Sequence, residues 1–410
     1  MTDVAAAVIG VVGAGTMGAG IAQLALEHGH ETVIHDVDEA AIERGRERIR
    51  KGLERRAARL ELDPDTIESW VEGRLARLRL AETLAALADD AEVVIEAALE
   101  DLDLKIEIFR ALDAGGTPDT ILATNTSSIS IDAIASATAH PERVLGLHFF
   151  NPAPIMQLVE VVAGGATSPG VVEAAVALVT GWGKTAVVCT DSPGFIVNRV
   201  NRPFTIEALR IVEEGIASVE AVDAAVRAQG FPMGPFELMD FVGLDVNLAA
   251  AAGIWRRLGE PDRLRPSELQ RRLVEAGHLG RKSGSGFYRW KGGRPAGVAE
   301  PTEPNHGTAP ERPAHPAATP TSEDVLARRI LLAVVNEAYH ATGEGIASQD
   351  DVDVALRLGA AHPMGPFERV GAMGGPAAAL EALRSTATAG FQPAPGLLEA
   401  ASLSGSSQLE

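Results

Sequence analysis

An apolar run of strand length, "AAAVIGVV" at residues 5–12, passes directly into "GAGTMG", with glycines at 13, 15 and 18. "AGIAQLALEHG" then spaces its apolar residues as a helix does and stops at Gly29, and "ETVIHD" at 31–36 reads as a second strand. Strand, glycine turn, helix and strand in this order form a βαβ unit with G-x-G-x-x-G at its first turn. Gly13 permits the tight turn, and Gly15 lets the backbone approach a pyrophosphate. Gly18 lets the helix pack against the strand, with the phosphates at its N-terminus. Asp36 closes the second strand, where it can accept hydrogen bonds from a ribose 2'-hydroxyl. It would repel a 2'-phosphate, so NAD is expected rather than NADP. Asp36 can also be a turn acid or helix cap, and Asp38 is an equal candidate to cap the long helix that follows.

With 410 residues the chain needs more than one core. Its formal net charge of -20 argues against nucleic acid and anionic membranes as partners, since both attract basic surfaces. The single cysteine, Cys189, excludes intramolecular disulfides and fits a reducing compartment. The opening "MTDVAAAVIGVVGAG" has no Lys or Arg, so no leader is expected. No uninterrupted apolar run reaches about 18 residues, and a cytoplasmic protein is the expectation. Against this acidic background, residues 44–59 hold eight basic side chains and two acids, a local charge of +6. That stretch is either a solvated helix face or a clamp for phosphates, such as those of a coenzyme A thioester.

"EVVIEAALED" (92–101) and "TILATNTSSISIDAIA" (120–135) read as further strands, the second running through "NTSS" into a helix. Ligands of open α/β sheets lie beyond the carboxyl ends of strands, which places Glu100, Lys105, Asn125 and Ser127 on the right edge. Ser127 and Ser128 could equally cap the helix after them. "LHFFNPAPIMQLVE" (147–160) carries His148 and Glu160 on two strand patterns broken by "NPAP". A tight hairpin looped at 151–154 would set His148 opposite Gln157, so a His148–Glu160 pair needs a wider connection or offset strands. "DSPGFIVNRVNRPFTIEALRIVEEG" (191–215) reads as a helix capped by Asp191 or Ser192, with Asn198 about one turn inside it.

Together, "GAGTMG", "NTSS", "LHFFNP" with "LVEVV", "DSPGFIVNR", "FPMGPFELMDFVGLDV" and "GRKSGSGFY" resemble the 3-hydroxyacyl-CoA dehydrogenase family, collinearly over residues 8–290. The resemblance implies an α/β Rossmann-like N-terminal domain followed by an all-α C-terminal domain, and oxidation of L-3-hydroxyacyl-CoA by NAD. It assigns the catalytic base to His148, its orienting acid to Glu160, and substrate contacts to Ser127 and Asn198. It assigns cofactor contacts to Asp36, Glu100, Lys105, Ser127, Asn151 and Lys282 and a coenzyme A contact to Arg59. A neighbouring polar position of the family falls on Gly52 here, which leaves the coenzyme A contacts incomplete. No metal is expected. Two rivals stay open: a sugar-acid dehydrogenase on the same scaffold, which would have no use for the basic helix, and a non-catalytic NAD-binding protein.

Residues 291–321 are proline-rich and read as a linker, whose His306 and His315 are not expected to be ligands. Beyond it, "EEGIASVEAVDAAVRAQGFPMGPFE" (213–237) returns as "GEGIASQDDVDVALRLGAAHPMGPFE" (343–368). The expected domains are therefore 1–189 (NAD-binding), 190–290 (helical), 291–321 (linker), 322–385 (a second, degenerate helical copy) and 386–410 (a loose tail). At the same offset Asn198 becomes Arg328, so the copy is expected to be structural. It would serve in place of, or alongside, a partner's helical domain, giving an intrachain pseudo-dimer or a homodimer.

Overall fold

The computed structural model describes residues 4, 6–299, 322–386 and 392–406. It divides into two compact units, residues 1–195 and 196–410.

The first unit runs β1 (Ile9–Val12), α1 (Thr16–Glu27), β2 (Thr32–His35), α2 (Glu39–Arg59), α3 (Pro64–Leu75), β3 (Leu78–Leu80), α4 (Leu84–Asp90), β4 (Val93–Glu96), α5 (Leu102–Gly115), β5 (Ile121–Thr124), α6 (Ile131–Ala135), β6 (Val144–Phe149), β7 (Leu158–Ala163), α7 (Pro169–Gly181) and β8 (Thr185–Thr190). Its strands form one sheet in the order β3-β2-β1-β4-β5-β6-β7-β8. Every residue of β1, β2, β4 and β5 is buried, as unbroken apolar runs covered on both faces should be. The chain leaves β1 in one direction and returns to β4 on its other side, so the ligand crevice of such a sheet lies between their carboxyl ends. All neighbours are parallel except β6 and β7.

The antiparallel pair sets the register that matters here. His148 lies directly opposite Glu160, and Phe149 opposite Val159. The connection is therefore wider than "NPAP" alone: it spans 150–157, and its Asn151–Pro152 peptide is cis.

The expected boundary at 189/190 moves to 195/196 because the segment after β8 is tied into the first unit. Asp191 Oδ2 accepts from Ser130 Oγ at 2.6 Å and from Asp132 N at 3.0 Å, at the start of α6, rather than capping the next helix. Nor does one helix run from 193. Gly194 and Phe195 have positive φ, and the first helical turn is α8 (Val197–Val200), interrupted before Pro203 in α9 (Arg202–Glu213). Asn198 thus sits at a helix start, not inside a long helix.

The second unit continues with α10 (Val219–Ala228), α11 (Pro235–Val242), α12 (Leu244–Arg257), α13 (Glu268–Glu275), the hairpin β9 (Tyr288–Lys291) and β10 (Arg294–Val298), then α14 (Glu323–Gly343), α15 (Gln349–Gly359), α16 (Pro366–Ala372), α17 (Pro376–Thr386) and α18 (Pro395–Ser406). The hairpin takes the first residues assigned to the linker, and 300–321, with His306 and His315, lie outside the described residues. The two similar stretches repeat their local bonds. Asp223 accepts from Phe236 N and Glu237 N at 2.9 and 3.1 Å, and Asp353 from Phe367 N and Glu368 N at 2.8 and 2.9 Å. A Cβ on Gly234 or Gly365 would lie 2.3 Å from the corresponding carboxyl carbon, so each Asp requires its glycine.

The two stretches also bond to each other. Arg199 donates to Glu337 (3.1 Å) and Glu344 (2.7 and 2.8 Å), and Arg329 donates to Glu207 (2.6 Å) and Glu214 (2.8 Å). The expected loose tail is a correction. Ala394 and Leu397 are fully buried in a core with Leu332, Val335 and Tyr339, and Asn336 bonds both Gln392 O and Ala394 N. Within α18 Leu397 is buried and Ala400 and Ala401 pack against this core, while Leu398 and Leu403 are exposed; 387–391 and 407–410 lie outside the described residues. Among the described residues no single helix is long and apolar enough to cross a membrane.

Candidate active site

The glycine turn meets the demands of a dinucleotide. Gly13 has φ +98° and its missing Cβ would lie 2.7 Å from Ala97 O, across the β1–β4 crevice. A Cβ on Gly18 would lie 1.8 Å from Gly13 O, which is why the helix can close on the turn. A Cβ on Gly15 meets nothing within 4 Å, leaving room for a ligand against the backbone. α1 starts there with no side-chain cap and no acid in its first turn, an arrangement suited to an anion.

Asp38, not Asp36, caps α2, accepting from Ala40 N at 2.9 Å. Asp36 instead braces the turn, with Oδ2 accepting from Ala14 N at 2.7 Å and Oδ1 from Asp38 N at 3.0 Å.

Beyond β4 a polar cluster organises "NTSS". Glu100 Oε1 accepts from Thr126 Oγ1 and Ser128 Oγ, both at 2.7 Å, and from the backbone N–H groups of Ser127 and Ser128, both at 3.1 Å. Burial would raise the Glu100 carboxyl, but hydrogen bonds from Thr126 and Ser128 and the charge of Lys105 outweigh it and hold it below its ordinary value. Ser127 and Ser128 cap nothing; Ser130 caps α6. Lys105 is 1% exposed, and its ammonium donates to both oxygens of Glu96 at 2.7 and 2.8 Å, with Glu100 at 3.7 Å. Glu96, not among the residues expected at the site, is fully buried and also accepts from Thr124 Oγ1. Its signal was present: an acid at the buried end of a strand, nine residues before a lysine, needs a cation.

At the edge of β6, His148 Nδ1 and Glu160 Oε2 are 2.6 Å apart, with the imidazole 7% exposed and the carboxylate fully buried. The ring packs against Phe150 and Phe195, centroids 4.6 and 5.7 Å away. Asn125 Oδ1 accepts from Phe149 N at 2.8 Å, pinning the strand beside the histidine. With Nδ1–H donated to Glu160, Nε2 is the nitrogen available for proton exchange.

A cavity of about 230 Å³ lies between α1, α2 and the β6–β7 connection. Arg48, Lys51, Arg55, Arg56 and Arg59 line it on one side and Asn151 on the other. The basic run is thus not merely a solvated face: every third or fourth residue turns to the same cavity. Gly52 is part of that wall, and a Cβ there would lie 1.8 Å from Gln23 Oε1. The Gln23 amide occupies the space a side chain at 52 would need.

Asn198 and Lys282 belong to the second unit. Asn198 is half-buried on α8. Lys282, on the 3-10 turn Arg281–Ser283, pairs with Asp245 at 2.6 Å.

Comparison with known proteins agrees with this geometry. Residues 8–192 match the family model described as 3-hydroxyacyl-CoA dehydrogenase, NAD binding domain, and residues 194–290 and 326–399 match that of its C-terminal domain. The 3-hydroxyadipyl-CoA dehydrogenase of Escherichia coli K12 is 39% identical, over 88% of this chain and 89% of that one. A probable 3-hydroxybutyryl-CoA dehydrogenase of Deinococcus radiodurans is 41% identical over 68% of this chain and 99% of its own. The crystal structure of 3-hydroxybutyryl-CoA dehydrogenase from E. coli K12 superposes with a TM-score of 0.84 at 36% identity, covering 98% of this chain and 99% of that one.

Proposed function

The chain belongs to the 3-hydroxyacyl-CoA dehydrogenase family, an NAD-dependent oxidoreductase family, and from that premise we propose that it oxidises an L-3-hydroxyacyl-CoA through His148. The observation that carries this reading is the buried His148–Glu160 pair at 2.6 Å, near the carboxyl end of β6 on the same sheet edge as the dinucleotide crevice. The hydroxyl O–H bond breaks as its proton passes to Nε2 of His148, and the C–H bond breaks as its hydride leaves, so the carbinol becomes a ketone. NAD, when bound, supplies the hydride acceptor. Glu160 fixes the tautomer and balances the imidazolium that forms. In reduction His148 returns the proton.

Ser127 and Asn198 keep their roles as substrate contacts through the motifs that contain them. Glu100 shapes the Ser127 loop, and Lys105 acts through Glu96 and Glu100 rather than as an exposed ligand. Asn151 and Lys282 remain candidate cofactor contacts. Arg59, with Lys51 and Arg55, is assigned to the coenzyme A phosphates, a role that a sugar-acid dehydrogenase would leave unused. All proposed catalytic positions are filled, which speaks against a non-catalytic protein.

The acyl group is proposed to be that of 3-hydroxyadipyl-CoA, supported by the name of the relative 39% identical over 88% of this chain, with 3-hydroxybutyryl-CoA as the second reading because a structure of that name covers 98% of it. The two helical stretches form a duplicated domain, and their reciprocal arginine–glutamate bonds support an intrachain pseudo-dimer. The test is a panel of 3-hydroxyacyl thioesters of varied length, with and without a terminal carboxylate, each as its coenzyme A and its pantetheine thioester. Turnover should favour the terminal carboxylate and the coenzyme A form. Turnover of free hydroxy acids alone would overturn the reading.

A further inference from the structure

The second helical stretch holds a cavity of about 720 Å³, within the size range of small-molecule sites. Its wall is largely apolar, with Leu331, Met364, Ala372 and Met373 among the lining residues. Two arginines reach this lining, Arg328 on α14 from the exposed rim and Arg369 on α16 from the wall itself. Arg369 is half-buried; burial depresses its guanidinium, and no carboxylate among the described residues offsets that. The two buried arginines described above, Arg199 and Arg329, each hold a pair of glutamates.

The internal repeat shows what is particular to this cavity. "PMGPFELMDFV" at 232–242 aligns with "PMGPFERVGAM" at 363–373. Arg369 stands where the first stretch has Leu238, and Ala372 where it has Phe241; Arg328 stands where it has Asn198. Two neutral positions have become arginines and one ring has been lost, all at the same cavity. Loss of a ring opens volume, and one half-buried guanidinium with a second at the rim, set beside apolar side chains, favours a planar anion on an aliphatic body. Asp324 and Glu381, also on the lining, bring its formal charge to zero, which leaves at most one charge for a ligand to match and disfavours a polyanion such as a nucleotide.

We propose that this cavity, formed by Arg328, Arg369 and the space left at Ala372, is a second ligand site, which binds an aliphatic monocarboxylate. None of its lining residues is among those assigned to the dehydrogenase reaction.

The experiment is calorimetric titration of the full chain with decanoate, with decanol as the uncharged control. Saturable binding of decanoate, one per chain, and at least about tenfold weaker binding of decanol are expected, since charge-assisted bonds are lost. The double variant Arg328→Asn, Arg369→Leu takes the residues of the first stretch and should lose the site, with kcat and KM for acyl-CoA unchanged. Ala372→Phe should do the same by filling the cavity. Decanoate binding that survives both variants, or its absence from the wild-type chain, overturns the proposal. So does a change in oligomeric state in the variants without decanoate binding, which would make this face a protein contact.

Discussion

Arg199 and Arg329 stand 130 positions apart and hold each other's counterpart acids. Arg199 bonds Glu337 and Glu344, and Arg329 bonds Glu207 and Glu214, which precede those two acids by the same 130. Such reciprocity is what a two-fold axis between identical subunits would produce, as the proposed intrachain pseudo-dimer requires. Glu207 is 2% exposed and relies on Arg329 and Arg210. Arg329→Ala should therefore destabilise by at most about 3–5 kcal/mol, the usual cost of breaking a buried pair, because Arg210 still faces Glu207. Replacing Arg329 and Glu207 together by Met should recover much of it. Denaturant titration of the single and double variants checks this; equal losses in both would remove the pair from the interface.

His148→Gln should lower kcat by roughly 10²- to 10⁴-fold, the ordinary contribution of a general acid–base, while NADH still binds. Glu160→Gln should lower it too, because an amide N–H facing Nδ1 forces the proton onto Nε2, where a base is needed. Stopped-flow NADH titration beside steady-state assays separates binding from chemistry. A wild-type kcat in His148→Gln would sink the assignment.

Asp36→Ala removes both the expected ribose acceptor and the brace on Ala14 N. The ratio of kcat/KM for NAD to that for NADP should fall, and KM for NAD should rise. Measuring both cofactors decides it: an unchanged ratio moves ribose recognition elsewhere.

His362 is buried against Phe204 and Phe231, and its Nε2–H donates to Asn201 Oδ1 at 2.8 Å. Burial, with the charge of Arg369 beside it, lowers its pKa to about 3. An unfolded histidine protonates near 6.5, at about 1.4 kcal/mol per pH unit of difference. The folded state thus binds fewer protons between the two values, and stability is full above pH ~6.5 and falls as the pH drops toward ~3. His362→Gln should flatten this acid dependence. Unfolding curves of both proteins from neutral pH down to about pH 4.5 would show parallel losses if His362 is not the group.

How far the sequence can be read follows the range of the interactions involved. Gly13, Gly15, Gly18 and the strands around them obey local rules, and the sheet forms as their pattern requires. The His148–Glu160 pair was legible only as a motif. Its register depends on where strand pairing resumes after residue 150, and that is fixed by β5 and β8 on the flanks. Glu96 becomes legible only once β4 is known to be buried to its end, which turns an ordinary strand acid into one that needs Lys105. The helix at 395–406 was missed because Ala, Gly and Ser serve equally in a loose tail and in close helix packing; only the fit of Leu397 and Ala394 against Tyr339 distinguishes them.

The direct opposition of His148 and Glu160 also bears on how the chain folds. Twelve residues separate them, so closing one short hairpin brings base and acid together. Arg199 must find Glu337 across 138 residues. Loop closure is more costly over long separations, and contacts of that kind slow folding. The proposed proton-handling pair is thus a local contact, whereas the joining of the two helical stretches belongs with the long-range contacts of the chain, such as His362 with Asn201 across 161 residues. A lesion at Arg199 should then slow folding while leaving the closure of the His148–Glu160 hairpin itself unchanged.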